Sequence, residues 1–341
     1  MDLSRRNFLK APTVGGLSVS LLGFDLRPAQ AAVRQLKIRN AHEYRSRLQG
    51  TTHQMKQPRE DPGLRWNRRR NRAVTLVKQQ PHATEVLQFY VKLLDLQEPI
   101  YRRSLTAYWL DEVKAQGDHL PFICLDALPV TSLRSAFVRF LRGLSVVVPR
   151  RLESLTKNLI EAPQELLVHL LKNVAQREDL DNIASEMGCA SPQLEFFAQA
   201  YLQPLVEAIA SKCKKGSAIW QQAKCPHCGW PPHLATLSDE LEIKGRRLLI
   251  CSLCSREWPF SRTTCVNCLE TNTEHLTHHV SESLPYIRIE ICQQCQHYLK
   301  TIDLREHGLA VPIVDDLASF ELDLWCEEQN LTRTQRNVLA F

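Results

Sequence analysis

Residues 225–254, CPHCGWPPHLATLSDELEIKGRRLLICSLC, and residues 265–295, CVNCLETNTEHLTHHVSESLPYIRIEICQQC, decide how this chain is read. Each begins and ends on a C-x-x-C pair, and together they hold eight of the twelve cysteines within 71 residues. Two thiolates spaced this way sit on one tight turn and point at one place, and two facing turns close a tetrahedral four-sulfur cage suited to Zn(II) or Fe(II). The gaps of 22 residues between Cys228 and Cys251 and 23 between Cys268 and Cys292 make first-with-second and third-with-fourth the economical pairing. The expected metal ligands are therefore Cys225, Cys228, Cys251 and Cys254 in one site and Cys265, Cys268, Cys292 and Cys295 in the other, two metal ions per chain. "LICSLC" at 249–254 matches "EICQQC" at 290–295, so the two halves form a tandem repeat with a period of 40 to 41 residues. Disulfides through the same cysteines fit less well, because vicinal pairs crowded into one segment read as metal ligands. Cys124, Cys189, Cys213 and Cys326 lie mostly among apolar neighbours and are expected in the core as small hydrophobes.

Outward from the cages, the strands are short. "RRLLICSLCSREWPF" and "YIRIEICQQCQHYLK" alternate like strands running into their knuckles. Upstream, Val86, Phe89, Tyr90, Leu93, Leu94 and Gln97 form one helical stripe, and Leu166, Leu167, Leu170, Leu171 and Val174 another. Pro81, Pro99, Pro121, Pro149, Pro163, Pro192 and Pro204 divide this region into helices of ordinary length. A last amphipathic stretch runs over 194–210. Past the cages, "DDLASFELDLWCEEQN" reads as a helix opened by Asp315 and Asp316. The fold class is α+β: a leader at 1–47, a linker at 48–63, a helical domain at 64–215, zinc-ribbon modules at 216–262 and 263–305, and a C-terminal helix at 306–341.

Charge narrows the function classes. The chain of 341 residues has a formal net charge of +6, but residues 1–50 alone carry nine basic and three acidic groups, so the rest balances 34 against 34. A neutral body argues against a nucleic-acid binder, which carries a basic footprint. The arginines at 65, 68, 69, 70 and 72 spread around a helix and read as a solvated face rather than a phosphate site. "SRRNFLK" at 4–10, an apolar run from Ala11 to Phe24, and Ala29-Gln30-Ala31 look like a twin-arginine export signal with a cleavage site after Ala31. The run is too short and polar to span a membrane, and no stable membrane insertion is expected. No glycine-rich phosphate loop, H-E-x-x-H or nucleophile elbow is present, so no catalytic residue is assigned and the chain is not read as an enzyme. His227, His233, His275, His278, His279 and His297 read as surface or packing groups, since each cage already has four thiolates.

"CPHCGWPP" at 225–232, "LICSLCSREW" at 249–258, "TCVNC" at 264–268, "EICQQCQHYLKT" at 290–301 and "VDDLASFELDLW" at 314–325 together resemble the formate dehydrogenase accessory protein family, FdhE. "RWNRRRNRAVTLVKQQPHATEVLQFYVKLLDLQ" at 65–97 resembles the opening of its helical region. The resemblance covers about residues 60–341 and implies a cytoplasmic maturation factor with a helical domain, two rubredoxin-like metal modules at 216–262 and 263–305, and Fe or Zn at the eight thiolates. Its implied partner is the catalytic subunit of respiratory molybdenum or tungsten formate dehydrogenase, engaged before export. The departure is residues 1–47, which resemble the leader of that catalytic subunit and would place the protein in the periplasm if used for export. A leader tethered this way is expected to fold back as a short helix on the helical domain, covering Phe8, Leu9, Leu17, Leu21 and Leu22. The competing classes are a rubredoxin-type electron carrier and a zinc-ribbon nucleic-acid binder.

Overall fold

The computed structural model describes residues 20, 22–41, 62–110, 112–113, 120–213, 220–240 and 243–341. It is α+β, with a helical body packed on one mixed sheet. The helices are α1 (Arg27–Val33), α2 (Pro62–Gln79), α3 (Thr84–Ser104), α4 (Val130–Leu144), α5 (Arg150–Glu161), α6 (Gln164–Gln176), α7 (Asp181–Met187), α8 (Ser191–Lys212), α9 (Pro312–Ala318) and α10 (Phe320–Glu328). Both helical stripes face inward: Val86, Phe89, Tyr90, Leu93, Leu94 and Gln97 are buried on α3, and Leu166, Leu167, Leu170, Leu171 and Val174 on α6. Pro149 and Pro163 precede α5 and α6 in extended backbone, where a missing amide costs nothing. Pro99 and Pro204, expected as breaks, lie inside α3 and α8. Each helix continues past its proline because packing on both sides of the break outweighs one lost backbone hydrogen bond.

The stretch expected to be amphipathic differs most. Along α8, every residue from Phe196 to Ala210 is buried. A helix with no solvent face belongs at the centre of a fold, and α8 is the mast between the helical body and the first sulfur module. The Gln199 side chain donates to the Ser252 carbonyl at 3.1 Å, Ser255 donates to Glu207 at 2.6 Å, and Arg256 donates to the Ala210 carbonyl at 2.6 Å.

The strands are β1 (Ile38–Asn40), β2 (Pro232–Ser238), β3 (Arg246–Cys251), β4 (Glu257–Pro259), β5 (Leu276–Ser281), β6 (Leu284–Cys292), β7 (His297–Asp303) and β8 (Thr332–Arg333). They form one sheet in the order β1-β5-β6-β7-β2-β3-β4, with β8 also on β7. The two repeats are thus not separate beads. A parallel pairing of β2 with β7, Leu234 to Lys300 through Leu237 to Asp303, joins them edge to edge.

Residues 22–41 of the leader-like segment are built into this body. Leu22, Phe24, Ala29 and Val33 are buried, and the Phe24 ring lies tilted against Phe89 at 5.4 Å and stacks on Phe341 at 6.2 Å between centroids. Helix α1 packs chiefly on α10, not on the helical body alone, and β1 extends the sheet beside β5. The position after Ala31 falls inside α1. Arg5, Arg6, Phe8, Leu9, Leu17 and Leu21 lie outside the described residues.

The C-terminal segment is two helices meeting at Ser319 rather than one. Asp315 and Asp316 lie within α9, which starts at Pro312. Asp315 reaches back to accept from the Val311 amide at 2.7 Å, while Asp316 turns inward. There Lys300 of β7, fully buried, contacts Asp316 at 2.9 Å and Asp323 at 2.6 Å, and Arg333 of β8 contacts the same two carboxylates at 2.6 and 3.1 Å. Two cations thus meet two anions, with Asn337 donating to the other Asp316 oxygen and the Tyr298 hydroxyl sharing with Arg333 the Asp323 oxygen that Lys300 leaves. His233 of β2 borders this network. Burial outweighs the pull of Asp316 and, with Arg333, Arg69 and Lys300 nearby, pushes its pKa down to about 4 from 6.5. Below pH 6.5 the unfolded chain takes up a proton that the folded chain refuses until about pH 4, so stability falls across that window. The loss is at most about 3 kcal/mol at roughly 1.4 kcal/mol per pH unit. Melting temperature followed from pH 7 to 4 should decline, and His233→Gln should flatten that decline; equal slopes would remove His233 as its source.

Candidate metal centres

Four turns of one design hold the eight cysteines. In each, the residue after the second cysteine has left-handed backbone: Gly229 (φ 77°), Ser255 (φ 52°), Leu269 (φ 62°) and Gln296 (φ 56°). Its amide donates to the carbonyl of the first cysteine, at 2.9, 3.2, 3.1 and 2.8 Å in that order. This closure curls the loop so that inner amides face sulfur, as with His227 N–H to Cys225, Leu253 N–H to Cys251 and Asn267 N–H to Cys265, each at 3.4 Å. Only glycine takes that conformation without cost. Three of the four knuckles carry a side chain there, backbone strain that a bound ion would hold in place. Gly229 is the only sequence signal for this position, which the cysteine spacing alone does not reveal.

The sulfurs meet in the expected pairing. Among the described residues, Cys225, Cys228, Cys251 and Cys254 form one cluster, and Cys265, Cys268, Cys292 and Cys295 the other, with all sulfurs of each within 4.8 Å of one another. The contacts are 3.5 Å for Cys225 to Cys254, 3.4 Å for Cys228 to Cys251, 3.8 Å for Cys265 to Cys295 and 3.6 Å for Cys268 to Cys292. A disulfide needs about 2.05 Å. A metal with sulfur at about 2.3 Å sets tetrahedral edges of about 3.8 Å, so both clusters fit one S4-bound ion each. The same geometry serves Zn and Fe, and two clusters agree with two ions per chain.

Electrostatics points the same way. Burial opposes ionisation in the first cluster and pushes the Cys228 and Cys254 thiols well up; at Cys225 hydrogen bonds from the other thiols overcome it and bring that thiol well down. In the second cluster the Cys265 to Cys295 hydrogen bond moves a proton toward Cys265, raised to about 12, and lowers Cys295. Four sulfurs in so small a space ionise together only around a cation.

The two sites differ in exposure. Cys225, Cys251 and Cys254 are 0% exposed and Cys228 3%, packed beside Trp230 and Trp258 in the main hydrophobic core. Cys268 is exposed and Cys295 half-buried. Of the other cysteines, Cys326 is buried and Cys189 and Cys213 partly so, but Cys124 is exposed. It sits at the turn before Leu125, beside the strap whose Phe122 and Ile123 amides bind the Pro226 and His227 carbonyls, so its backbone rather than its side chain is used. His227 and His233 are buried packing groups, while His275, His278, His279 and His297 are partly exposed. None of them joins either sulfur cluster.

The arginine-rich turn is not a solvated face. Arg69 is buried against Glu207 at 3.1 Å, Arg70 binds Asp95 and Glu98 at 2.9 and 3.0 Å, and Arg72 binds Asp315. The partners come from α8, α3 and α9, so α2 is the strut tying the helical body to the C-terminal helices. No helix among the described residues is long and apolar enough to cross a membrane.

Residues 224–262 match the family model for the FdhE central domain and residues 263–340 that for the FdhE C-terminal domain. The chain is 39% identical over 176 residues to the FdhE homolog of Aquifex aeolicus, a match covering 51% of this chain and 62% of that protein. It is 34% identical over 172 residues to the FdhE homolog of Haemophilus influenzae strain Rd, covering 49% and 56%. The chain therefore spans a little over half the length of these curated relatives. The crystal structure of the FdhE protein from Pseudomonas aeruginosa superposes with a TM-score of 0.55 at 24% identity, covering 85% of this chain and 98% of that one, and shows the shared fold. The FdhE family models thus match residues 224–340, and these curated FdhE homologues match about half of the chain.

Proposed function

We propose that this chain is a non-catalytic accessory factor of respiratory formate dehydrogenase, engaging the catalytic subunit before export, with Fe or Zn held in its two sulfur cages as structural ions. The observation that carries the reading is that residues 224–340, which match the FdhE central and C-terminal domain models, hold both four-cysteine clusters in a single sheet. Closed four-sulfur sites have no open position for substrate, which suits a binding protein rather than a formate-oxidising one. The burial of Leu22, Phe24, Leu26, Ala29 and Val33 favours a cytoplasmic protein that keeps its leader-like segment, because removal after Ala31 would cut α1 and strip Phe24 from the core.

Deletion of the gene should lower formate oxidation by the host's respiratory enzyme at least tenfold, and a tagged copy should co-purify anaerobically with the catalytic subunit. Undiminished formate oxidation in the deletion strain would sink the reading. The exposed Cys268 favours a second one, a rubredoxin-type electron carrier, because an accessible sulfur edge suits electron transfer. A reversible one-electron wave from an iron-loaded sample would support it, and Zn in both cages of the native protein would remove it.

A further inference from the structure

The tandem repeat sets β3, "RRLLIC" at 246–251, against "IRIEIC" at 287–292 of β6, so Arg247 corresponds to Arg288 and Leu249 to Glu290. The two arginines behave differently. Arg288 pairs with Asp303 of β7 and stays within the second module. Arg247, only 4% exposed, leaves its own module: its guanidinium pairs with Glu290 on β6, although β2 and β7 lie between β3 and β6 in the sheet. Where the first repeat has a buried leucine, the second thus has the carboxylate that receives Arg247.

This one side chain touches the approaches to both knuckles of the second cage. Its Nη1 donates to the carbonyls of Ser261 at 2.8 Å and Thr264 at 3.3 Å, and Thr264 directly precedes Cys265. Glu290 stands two residues before Cys292 on the strand that delivers the other knuckle, and its second oxygen accepts from the Thr301 hydroxyl at 2.7 Å. Phe260 joins the same tie: its amide donates to the Arg247 carbonyl at 3.2 Å, and the guanidinium lies 5.8 Å from its ring centroid. At its other end Arg247 belongs to the strand that runs into Cys251 of the first cage. A guanidinium bonded to several groups at once fixes their relative positions, which a point charge does not. Groups that orient metal ligands without touching the ion alter affinity by roughly 10- to 100-fold.

We propose that Arg247 is a positioning residue for the second cage, through which occupancy of the first cage raises the second cage's affinity for metal. Cys251 held in the first cage fixes the end of β3, β3 carries Arg247, and Arg247 sets the approaches to Cys265 and Cys292. By linkage, the second ion strengthens the first by the same factor. The inference rests on the cages holding ions and not on the accessory role.

The test uses the full chain, with Zn(II) affinities from competition with a chromophoric chelator and ligand-field spectra of the Co(II)-loaded protein. Arg247→Gln should weaken the second-cage ion about tenfold, the scale of a lost ligand-orienting contact, and shift the Co(II) bands of that cage. With Cys268 and Cys295 replaced by serine, so that only the first cage binds, Arg247→Gln should leave the remaining ion's affinity unchanged. With Cys225 and Cys228 replaced by serine, the second cage should keep its ion at metal saturation but hold it about tenfold more weakly. Adding Arg247→Gln to that serine pair should weaken it no further, the non-additivity expected of groups acting through one link. Glu290→Gln, which leaves the first module intact, should weaken the second ion alone and serves if the serine pair misfolds. Unchanged second-ion affinity in both Arg247→Gln and Glu290→Gln would overturn the proposal. So would equal weakening of both ions by Arg247→Gln, or a first-cage serine pair that weakens the second ion as much without Arg247 as with it. The accessory reading is decided separately, by formate oxidation in the deletion strain.

Discussion

Replacing Cys225 and Cys228 together by serine should halve the bound metal and unfold the region around the first cage. The cost should be on the order of 10 kcal/mol, the scale on which structural S4 sites contribute their binding free energy to folding. The first cage sits inside the main core, where Cys225, Cys251 and Cys254 have no exposed surface and Trp230 and Trp258 pack beside them. Without the ion, buried thiols would have to be satisfied by one another, and the left-handed turns at Gly229 and Ser255 would lose their clamp. The matching change at Cys268 and Cys295 should also remove one ion but cost less, because Cys268 is already exposed and the strands leading to that cage keep a core of their own in Ile287, Ile289 and Ile291. Exposure sets the order of loss as well. A chelator should strip the metal in two phases, the second cage first and the first cage only as the protein melts. Metal content by mass spectrometry, read beside the loss of near-ultraviolet circular dichroism, would decide it. A Cys225/Cys228 serine variant that kept two ions and an unchanged melting temperature would break the ligand assignment.

The cages were legible because their chemistry is local. Two cysteines three positions apart fix a turn whatever the rest of the chain does, and a 22- or 23-residue gap is enough for one hairpin between knuckles. The apolar stripes of α3 and α6 were legible for the same reason, since a period of 3.6 residues is written within the element. Illegible features were those whose partner lies far along the chain. The buried pairs of Arg69 with Glu207 and Arg72 with Asp315 span 138 and 243 residues, so the arginine-rich turn looked like a solvated face. Phe24 gives no local sign that it will meet Phe89 and Phe341, and the segment around it read as a leader. Helix α8 misled in another way. Its polar residues Gln199, Gln203 and Glu207 imitate a wet face, yet each is buried, Gln199 and Glu207 bonding the first module and Gln203 lying beside Gln97.

Lys300→Met should destabilise the protein by about 3–5 kcal/mol, the cost of leaving a buried charge without its partner. Lys300 has no exposed surface and gives its protons to Asp323 at 2.6 Å and to the Asp316 carbonyl at 2.8 Å. Removing it leaves Asp316 and Asp323 to share Arg333 alone. Burial would raise the Asp316 carboxyl, but Arg333 and Lys300 hold it well below the ordinary carboxylate range. That sign fixes the pH behaviour. The stabilisation from Asp316 is present above its unfolded pKa and is lost as pH falls through the lower folded value. The Lys300→Met variant should therefore lose stability most at neutral pH and approach the parent in acid. The network also joins the repeats to the C-terminal helices, since Lys300 lies on β7 beside its parallel partner β2, while Asp316 and Asp323 come from α9 and α10. Its loss should loosen α10 and with it α1, which packs on that helix. The expected readout is a melting temperature lower on the order of 10 °C, with faster hydrogen exchange over residues 27–33 and 312–328. Pairing Lys300→Met with Asp323→Leu, which removes one charge of each sign, should recover most of the loss. A single variant as stable as the parent, or a double variant no better than the single, would show that the buried ions do not hold the two halves together.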